Sequence, residues 1–276
     1  MIENYLNKIT NGDCVSVMSE MPDSEIDLIV TSPPYNVNIP YDVCVDNKSM
    51  DEYWEWTEKW LSQAFRLMKD DGRIAINVPY EVNVQERGGR VFFISELYQV
   101  MKKVGFNFFG IVDLEEDSPH RSKTTAWGSW MSASGPYIYN PKECVILAYK
   151  KHRIKQTKGV SEWEGVLVEN DGIMKMTYSE EQKKEFLQLV YGQWKYNADT
   201  RSLTKATFSS DIPAKAIKIL SYRGDVIMDP FSGSGTTCLT AERLGRKWIG
   251  IELSENYSKI SENRIGNEIS QTLSSF

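Results

Sequence analysis

The segment 225–252 restricts this chain more than any other. Asp225-Val-Ile-Met-Asp229 is a short apolar run, and Pro230-Phe-Ser-Gly-Ser-Gly-Thr-Thr237 follows it with two glycines at a sharp turn. Thr236 to Leu244 reads as a helix ending at Gly245, and Trp248-Ile-Gly-Ile-Glu252 reads as the next strand. Strand, glycine turn, helix and strand make a parallel crossover unit, whose sheet must be covered on both faces. The small residues let backbone N–H groups and a helix N-terminus approach a nucleotide-like or zwitterionic ligand closely, although a tight turn of this kind also forms with no ligand. Glu252, about twenty residues beyond the glycines, stands where acidic side chains hold ribose hydroxyls in doubly wound folds. Cys238 occupies the third glycine position of a dinucleotide fingerprint and no Gly-Lys-Ser/Thr follows, which disfavours a nicotinamide-dependent oxidoreductase and a phosphate-loop enzyme.

The same alternation extends through the chain. Ile26-Asp-Leu-Ile-Val30 is a strand that must stop at Thr31-Ser32-Pro33-Pro34-Tyr35, where two prolines remove backbone donors. Residues 51–69 place Tyr53, Trp56, Trp60, Ala64, Leu67 and Met68 at helical spacing, with Asp70-Asp71-Gly72 as the stop. Residues 73–79 read as a buried strand, 92–104 as a helix closed by Gly105, 106–113 and 143–149 as strands, and 212–221 as a helix. The alternation predicts an α/β fold with a mostly parallel sheet and helices on both faces. Between 150 and 205 the apolar periodicity weakens and aromatics mix with cations, so this stretch is expected to be an insertion in a domain formed by 1–149 and 206–276.

At 276 residues, with 41% hydrophobic and 25% charged side chains, the chain is expected to be one large folded, soluble core with an insertion. No apolar run is long enough to span a membrane and no secretion signal is evident, so a cytoplasmic protein is expected. Four scattered cysteines form no C-x-x-C pair and only two histidines are present, which leaves little material for disulfides, a His-based triad or a metal centre. A net charge of −6 confines any nucleic-acid contact to a local basic face. Lys150, Lys151, Arg153, Lys155 and Lys158 supply such a face, reading either as a phosphate contact or as a solvated strand end.

Ser32-Pro33-Pro34-Tyr35 carries the chemistry. A rigid loop at a strand's C-terminal end offers the Ser32 oxygen, a Pro33 carbonyl fixed in direction by the next proline, and the aromatic face of Tyr35. These parts suit a flat amine: two acceptors drawing on its hydrogens free the conjugated lone pair for attack while the ring is held by stacking. The bland alternative is a Pro-Pro turn with a core tyrosine.

Taken together the motifs resemble the AdoMet-dependent amino-methylating DNA methyltransferases of the β arrangement. Thr31-Ser-Pro-Pro-Tyr-Asn36 resembles their catalytic motif, Asp229-Pro-Phe-Ser-Gly-Ser-Gly-Thr-Thr237 their cofactor loop, and Ile249-Gly-Ile-Glu252-Leu253, with Tyr257 and Arg264 beyond it, their ribose-holding segment. Asn11-Gly-Asp13-Cys14 is similar to their adenine-contacting patch, and Phe208-Ser-Ser210 with Ile212-Pro213 to the motif closing over the methionine end. The resemblance covers 1–150 and 205–265 and implies a Rossmann-like methyltransferase fold, S-adenosylmethionine as cofactor and duplex DNA as substrate, with 150–205 as target-recognition insertion. Catalytic roles fall on Ser32, Pro33, Pro34 and Tyr35. Cofactor contacts fall on Asp13, Cys14, Phe208, Ser210, Asp229, Pro230, Phe231, Ser232, Gly233, Gly235, Thr236, Thr237, Glu252 and Leu253.

Methylation at ring carbon would need a cysteine nucleophile, typically after proline. Cys14, Cys44, Cys144 and Cys238 follow Asp13, Val43, Glu143 and Thr237, so amino methylation remains. The target base must then leave the duplex stack. Among such enzymes a leading serine accompanies cytosine N4 more often and a leading aspartate adenine N6, so cytosine is the first expectation and adenine the alternative. A non-catalytic nucleic-acid-binding module is the reading from a different class. The resemblance further implies a restriction-modification system with a cognate endonuclease, and a homodimer. Tyr41-Asp42 is read as a cover for the site and Glu115 to Lys123 as a flap over DNA. Trp127-Gly128-Ser129-Trp130 and Tyr137-Ile-Tyr139 are read as packing anchors before base-pocket residues.

Overall fold

A computed structural model describes residues 1–43, 46–84, 89–116, 133–135, 140–170, 173–197 and 208–274. In chain order it contains β1 (Lys8–Asn11), α1 (Cys14–Ser19), β2 (Ile26–Thr31), α2 (Met50–Leu67), β3 (Met68–Pro79), the pair β4 (Val82–Val84) and β5 (Gly89–Val91), and α3 (Phe93–Val104). There follow β6 (Asn107–Glu116), β7 (Glu143–Tyr149), the pair β8 (Val166–Asn170) and β9 (Ile173–Thr177), α4 (Glu180–Val190) and β10 (Gln193–Tyr196). The chain closes with α5 (Asp211–Leu220), β11 (Val226–Asp229), α6 (Thr236–Arg243), β12 (Lys247–Glu252) and α7 (Glu255–Ser274).

Among the described residues eight strands form the central sheet, in the order β1-β12-β11-β2-β3-β7-β6-β10. Neighbours pair in parallel from β1 across to β3, and β10 is parallel to β6; β7 alone runs against its neighbours. Side chains alternate between two cores, as a sheet covered on both faces requires. Ile26 and Ile29 of β2 with Ile74, Ile76 and Val78 of β3 pack with Trp60, Leu61, Phe93 and Leu97 from α2 and α3. Leu28, Val30 and Ala75 face the other way, toward Ile217, Leu220, Leu239 and Ile265 from α5, α6 and α7. This is the expected α/β architecture, mainly parallel and helix-covered.

Two local readings change. The stop expected at Asp70-Asp71-Gly72 lies inside β3: α2 already ends at Leu67, and the β2–β3 register shifts between Ile26 and Leu28. Gly72 serves this irregularity, since a Cβ there would stand 2.8 Å from the Lys69 carbonyl and 3.1 Å from that of Ile26. The stretch 150–205 contains β8, β9 and α4 but also lends β10 to the central sheet, where Tyr196 pairs with Glu116. No helix among the described residues is long and apolar enough to cross a membrane.

The cation run is a correction. It follows β7, which runs against the parallel strands and ends opposite Arg73, so it emerges at the end of the sheet away from Thr31, Asp229 and Glu252. Lys150 Nζ is buried and donates to the Met68 carbonyl at 2.7 Å. Lys155, its side chain 4% exposed, lies 3.2 Å from Asp27 and 2.5 Å from Asp225. Lys151 pairs with Asp70 at 3.0 Å, and Arg153 lies over the Phe109 ring. Lys158 is exposed, two residues before Val160, whose carbonyl accepts from the Arg223 N–H ahead of β11. Lys150 and Lys155 therefore stabilise the fold and are not available to DNA phosphates. Replacing one partner of a buried ion pair typically costs about 3–5 kcal/mol, because the remaining charge is left uncompensated. Lys155→Met leaves Asp27 with Lys69 at 2.8 Å but removes the cation beside Asp225, so unfolding free energy in urea is expected to fall by about 3 kcal/mol, the low end of that range, with no change in DNA affinity of the folded protein; weakened DNA binding at unchanged stability would restore the phosphate role.

Candidate active site

Two loops leave neighbouring strands in the same direction. β11 ends at Asp229, whose buried Oδ1 accepts from Thr31 Oγ1 at 2.7 Å and from the Phe231 N–H at 3.0 Å. Thr31 is the last residue of β2, so this bond joins the roots of the loops that begin at Ser32 and Pro230. Burial pushes the Asp229 carboxyl up to about 6.

On the glycine side, the Glu252 carboxylate accepts from the Gly233 N–H at 2.8 Å and the Ser254 N–H at 2.9 Å, while burial raises its pKa. Asn11 Nδ2 donates to the carbonyls of Glu252 and Leu253, tying β1 to the end of β12. Asp13, which lines the pocket, caps α1 by accepting from the Ser16 N–H at 2.9 Å. Gly233 and Gly235 have φ of +53° and +78°, and a Cβ on Gly235 would stand 2.1 Å from Ser261 Oγ. Gly235 therefore permits α7 to pack against the turn. Arg264 of α7 reaches back to the Ser234 carbonyl at 3.1 Å and to Thr236 Oγ1 at 2.9 Å.

On the Pro-Pro side, α2 supports the loop from behind. Tyr53 Oη donates to the Pro34 carbonyl at 2.8 Å, and Asn36, at φ +59°, donates Nδ2 to the Lys48 carbonyl at 2.8 Å. The same helix sets Trp56 and Trp60 against Phe231, with ring centroids 5.5 Å and 5.2 Å away. Tyr35 packs edge-on to Phe93 and places its hydroxyl 2.7 Å from Ser32 Oγ. Beyond the loop, buried Asp46 accepts from the N–H groups of Val37 and Ile39, and Ser254 Oγ donates to Asp42 at 2.6 Å. Tyr41 and Asp42 thus border the site, with Asp42 linked across it to the glycine side.

Both loops open on one pocket of about 700 Å³. Ser32, Pro33, Pro34 and Tyr35 line it, together with Asp13, Cys14, Phe208, Asp229, Pro230, Phe231, Ser232, Gly233, Thr236, Glu252 and Leu253. Ser210, Gly235 and Thr237 are not on its wall; Ser209, one residue earlier, lines it and donates to the Asn197 carbonyl. Trp56, Asn77, Glu116, Glu143 and Tyr196 also line it, and the sequence reading gave them no part in the site. A partial signal existed for Trp56 in its helical spacing. Asn77, Glu143, Glu116 and Tyr196 converge only because strands distant in sequence end side by side. The segments containing His120, Trp127-Gly128-Ser129-Trp130 and Tyr137-Ile-Tyr139, as well as Cys44, lie outside the described residues.

The lining decides which ligand fits. Seven acidic residues, Asp13, Asp42, Asp46, Glu116, Glu143, Asp229 and Glu252, are among those that line it, and Lys48 is its one cation among the described residues. Such a wall disfavours a pyrophosphate and suits a cationic sulfonium, with Glu252 near the glycine turn for ribose hydroxyls. Burial pushes the Cys14 and Cys144 thiols up to about 12 and that of Cys238 higher still, so none of these three is a thiolate nucleophile.

Comparison with known proteins agrees with this geometry. A family model described as DNA methylase, covering N6- and N4-directed enzymes, matches residues 26–263. This chain belongs to that family. It is 35% identical over 202 residues to the type II methyltransferase M.MjaVI of Methanocaldococcus jannaschii, covering 72% of this chain and 91% of that protein. It is 27% identical over 269 residues to M.BamHI of Bacillus amyloliquefaciens, covering 95% of this chain and 58% of that one. Among solved structures, a candidate DNA modification methylase of Thermus thermophilus complexed with S-adenosyl-L-methionine superposes with a TM-score of 0.68 at 21% identity, covering 95% and 93% of the two chains. The PvuII DNA methyltransferase, described as cytosine-N4-specific, gives 0.65 at 19%, again over 95% and 93%. At these identities the structural likeness is one of fold. As a member of the family, the protein is an AdoMet-dependent DNA amino-methyltransferase.

The buried carboxyl makes a pH prediction for this methyltransferase. Asp229 holds its proton up to about pH 6 when folded and to about pH 4 when unfolded. Between those values the folded chain binds more protons, so this group's contribution to stability falls as pH rises. Melting curves from pH 4 to 7 should show wild type losing ground relative to Asp229→Asn across that window; parallel curves would contradict the burial assignment.

Proposed function

We propose that this methyltransferase modifies the N4 amine of cytosine in duplex DNA, with the base turned out of the helix into the pocket beside Ser32. The observation that carries the reading is Ser32 itself: a short neutral hydroxyl, at the end of β2 and on the pocket wall, supported by Tyr35. An amine conjugated to a ring is a weak nucleophile. Ser32 Oγ and the Pro33 carbonyl accept its two hydrogens, localising the lone pair, while the Tyr35 ring holds the base in plane. The bound cofactor supplies the activated methyl group. The amine nitrogen would take that methyl group with the sulfur leaving as a neutral thioether, and the proton it then loses would pass to solvent. Glu252 and Asp13 orient the cofactor by its ribose and adenine, and Phe231, held between Trp56 and Trp60, closes the wall behind it.

The M.MjaVI and M.BamHI names support a place in a restriction-modification system with a cognate endonuclease, acting in the cytoplasm. A homodimer is part of the same reading. Hydrolysis of DNA methylated by the purified enzyme, followed by mass spectrometry of the nucleosides, should yield N4-methylcytosine. N6-methyladenine as the product would replace the base assignment while leaving the amino-transfer chemistry in place.

A further inference from the structure

Ser32 has a problem that an aspartate in its place would not have. A carboxylate can only accept, whereas a hydroxyl either donates or accepts, and one that points its proton at an incoming amine sets donor against donor. The surroundings of Ser32 settle the direction. Tyr35 Oη lies 2.7 Å from Ser32 Oγ and 3.2 Å from the Asn77 carbonyl. The carbonyl cannot donate, so it takes the single phenolic proton. Ser32 must then donate to Tyr35 Oη, which leaves only lone pairs on Ser32 Oγ for the cavity.

The Asn77 carbonyl is placed for this by the loop's own sequence. The β2–β3 ladder ends at Thr31 opposite Ile76, and Pro33 and Pro34 bring no N–H with which to extend it past Asn77. On the far side Asn77 Nδ2 donates to Glu143 Oε2 at 2.9 Å, fixing the end of β3 against β7. Burial, with the Glu143 charge nearby, holds the Tyr35 phenol well above its usual range, so it remains a donor at working pH.

We infer that the Tyr35 hydroxyl is a positioning group that locks Ser32 as an acceptor for the target amine, a duty separate from stacking by the Tyr35 ring. This rests on the reading that Ser32 accepts from that amine. It does not depend on which base carries the amine.

Tyr35→Phe keeps the ring and removes the relay. Turnover should fall about tenfold, the equivalent of one lost hydrogen bond, with the DNA KM and the cofactor dissociation constant within about twofold of wild type. In a Ser32→Ala background, where no hydroxyl remains to orient, the same change should cost less than about twofold. The inference is overturned if Tyr35→Phe turns over at the wild-type rate, loses activity through KM alone, or loses as much in both backgrounds. Failure of Tyr35→Phe to bind cofactor also overturns it, since the hydroxyl would then be holding the pocket together and not Ser32. The nucleoside made by wild type separates the two readings: N6-methyladenine removes the cytosine assignment and leaves this cycle intact.

Discussion

The hydrogen bond from Thr31 to Asp229 underlies the rest of the structure. It joins two buried residues at the C-terminal ends of adjacent parallel strands, in register through Leu28–Ile227 and Ile29–Met228. Strands in a sheet lie about 4.8 Å apart, so loops that leave neighbouring ends begin side by side and can face one cavity. The sheet sets their separation, and the buried bond fixes their roots. Helix α2 then braces both, with Tyr53 on the Pro34 carbonyl and Trp56 and Trp60 on Phe231. One helix thus supports both loops that line the cavity.

The charge of that cavity is consistent with its role. Acidic groups suit a sulfonium and would repel a pyrophosphate, and the described cysteines are buried protonated thiols that cannot take up a methyl group as thiolates. Nothing described in the pocket is an activated nucleophile. In the proposed transfer the chain's own contribution is placement and hydrogen bonding: acceptors for the amine, a ring to hold the base, and carboxylates to hold the donor.

Much of this could be read from local sequence because its causes are local. Prolines 33 and 34 end β2 by removing N–H groups, Gly105 closes α3 with φ of +117°, and the Gly233–Gly235 turn needs the positive φ values it has. Features that depend on register were not legible. Gly72 reads as a helix stop, yet it permits close packing inside β3, because the neighbouring carbonyl of Ile26 is invisible in a linear reading. The run Lys150–Lys158 is basic by composition, but only the reversal of β7 places it at the far end of the sheet, where Asp27 and Asp225 neutralise Lys155. Asn77 and Glu143 enter the pocket for the same reason, through the antiparallel pairing of β3 and β7.

The proposed reaction is a direct transfer across one cavity. Its most direct test is the stereochemistry of the methyl group, followed with a cofactor whose methyl carbon is chiral through hydrogen, deuterium and tritium. A single in-line displacement predicts inversion in the methylated base. Retention would mean two displacements through an enzyme-bound methyl, and would contradict a site in which amine and donor meet face to face.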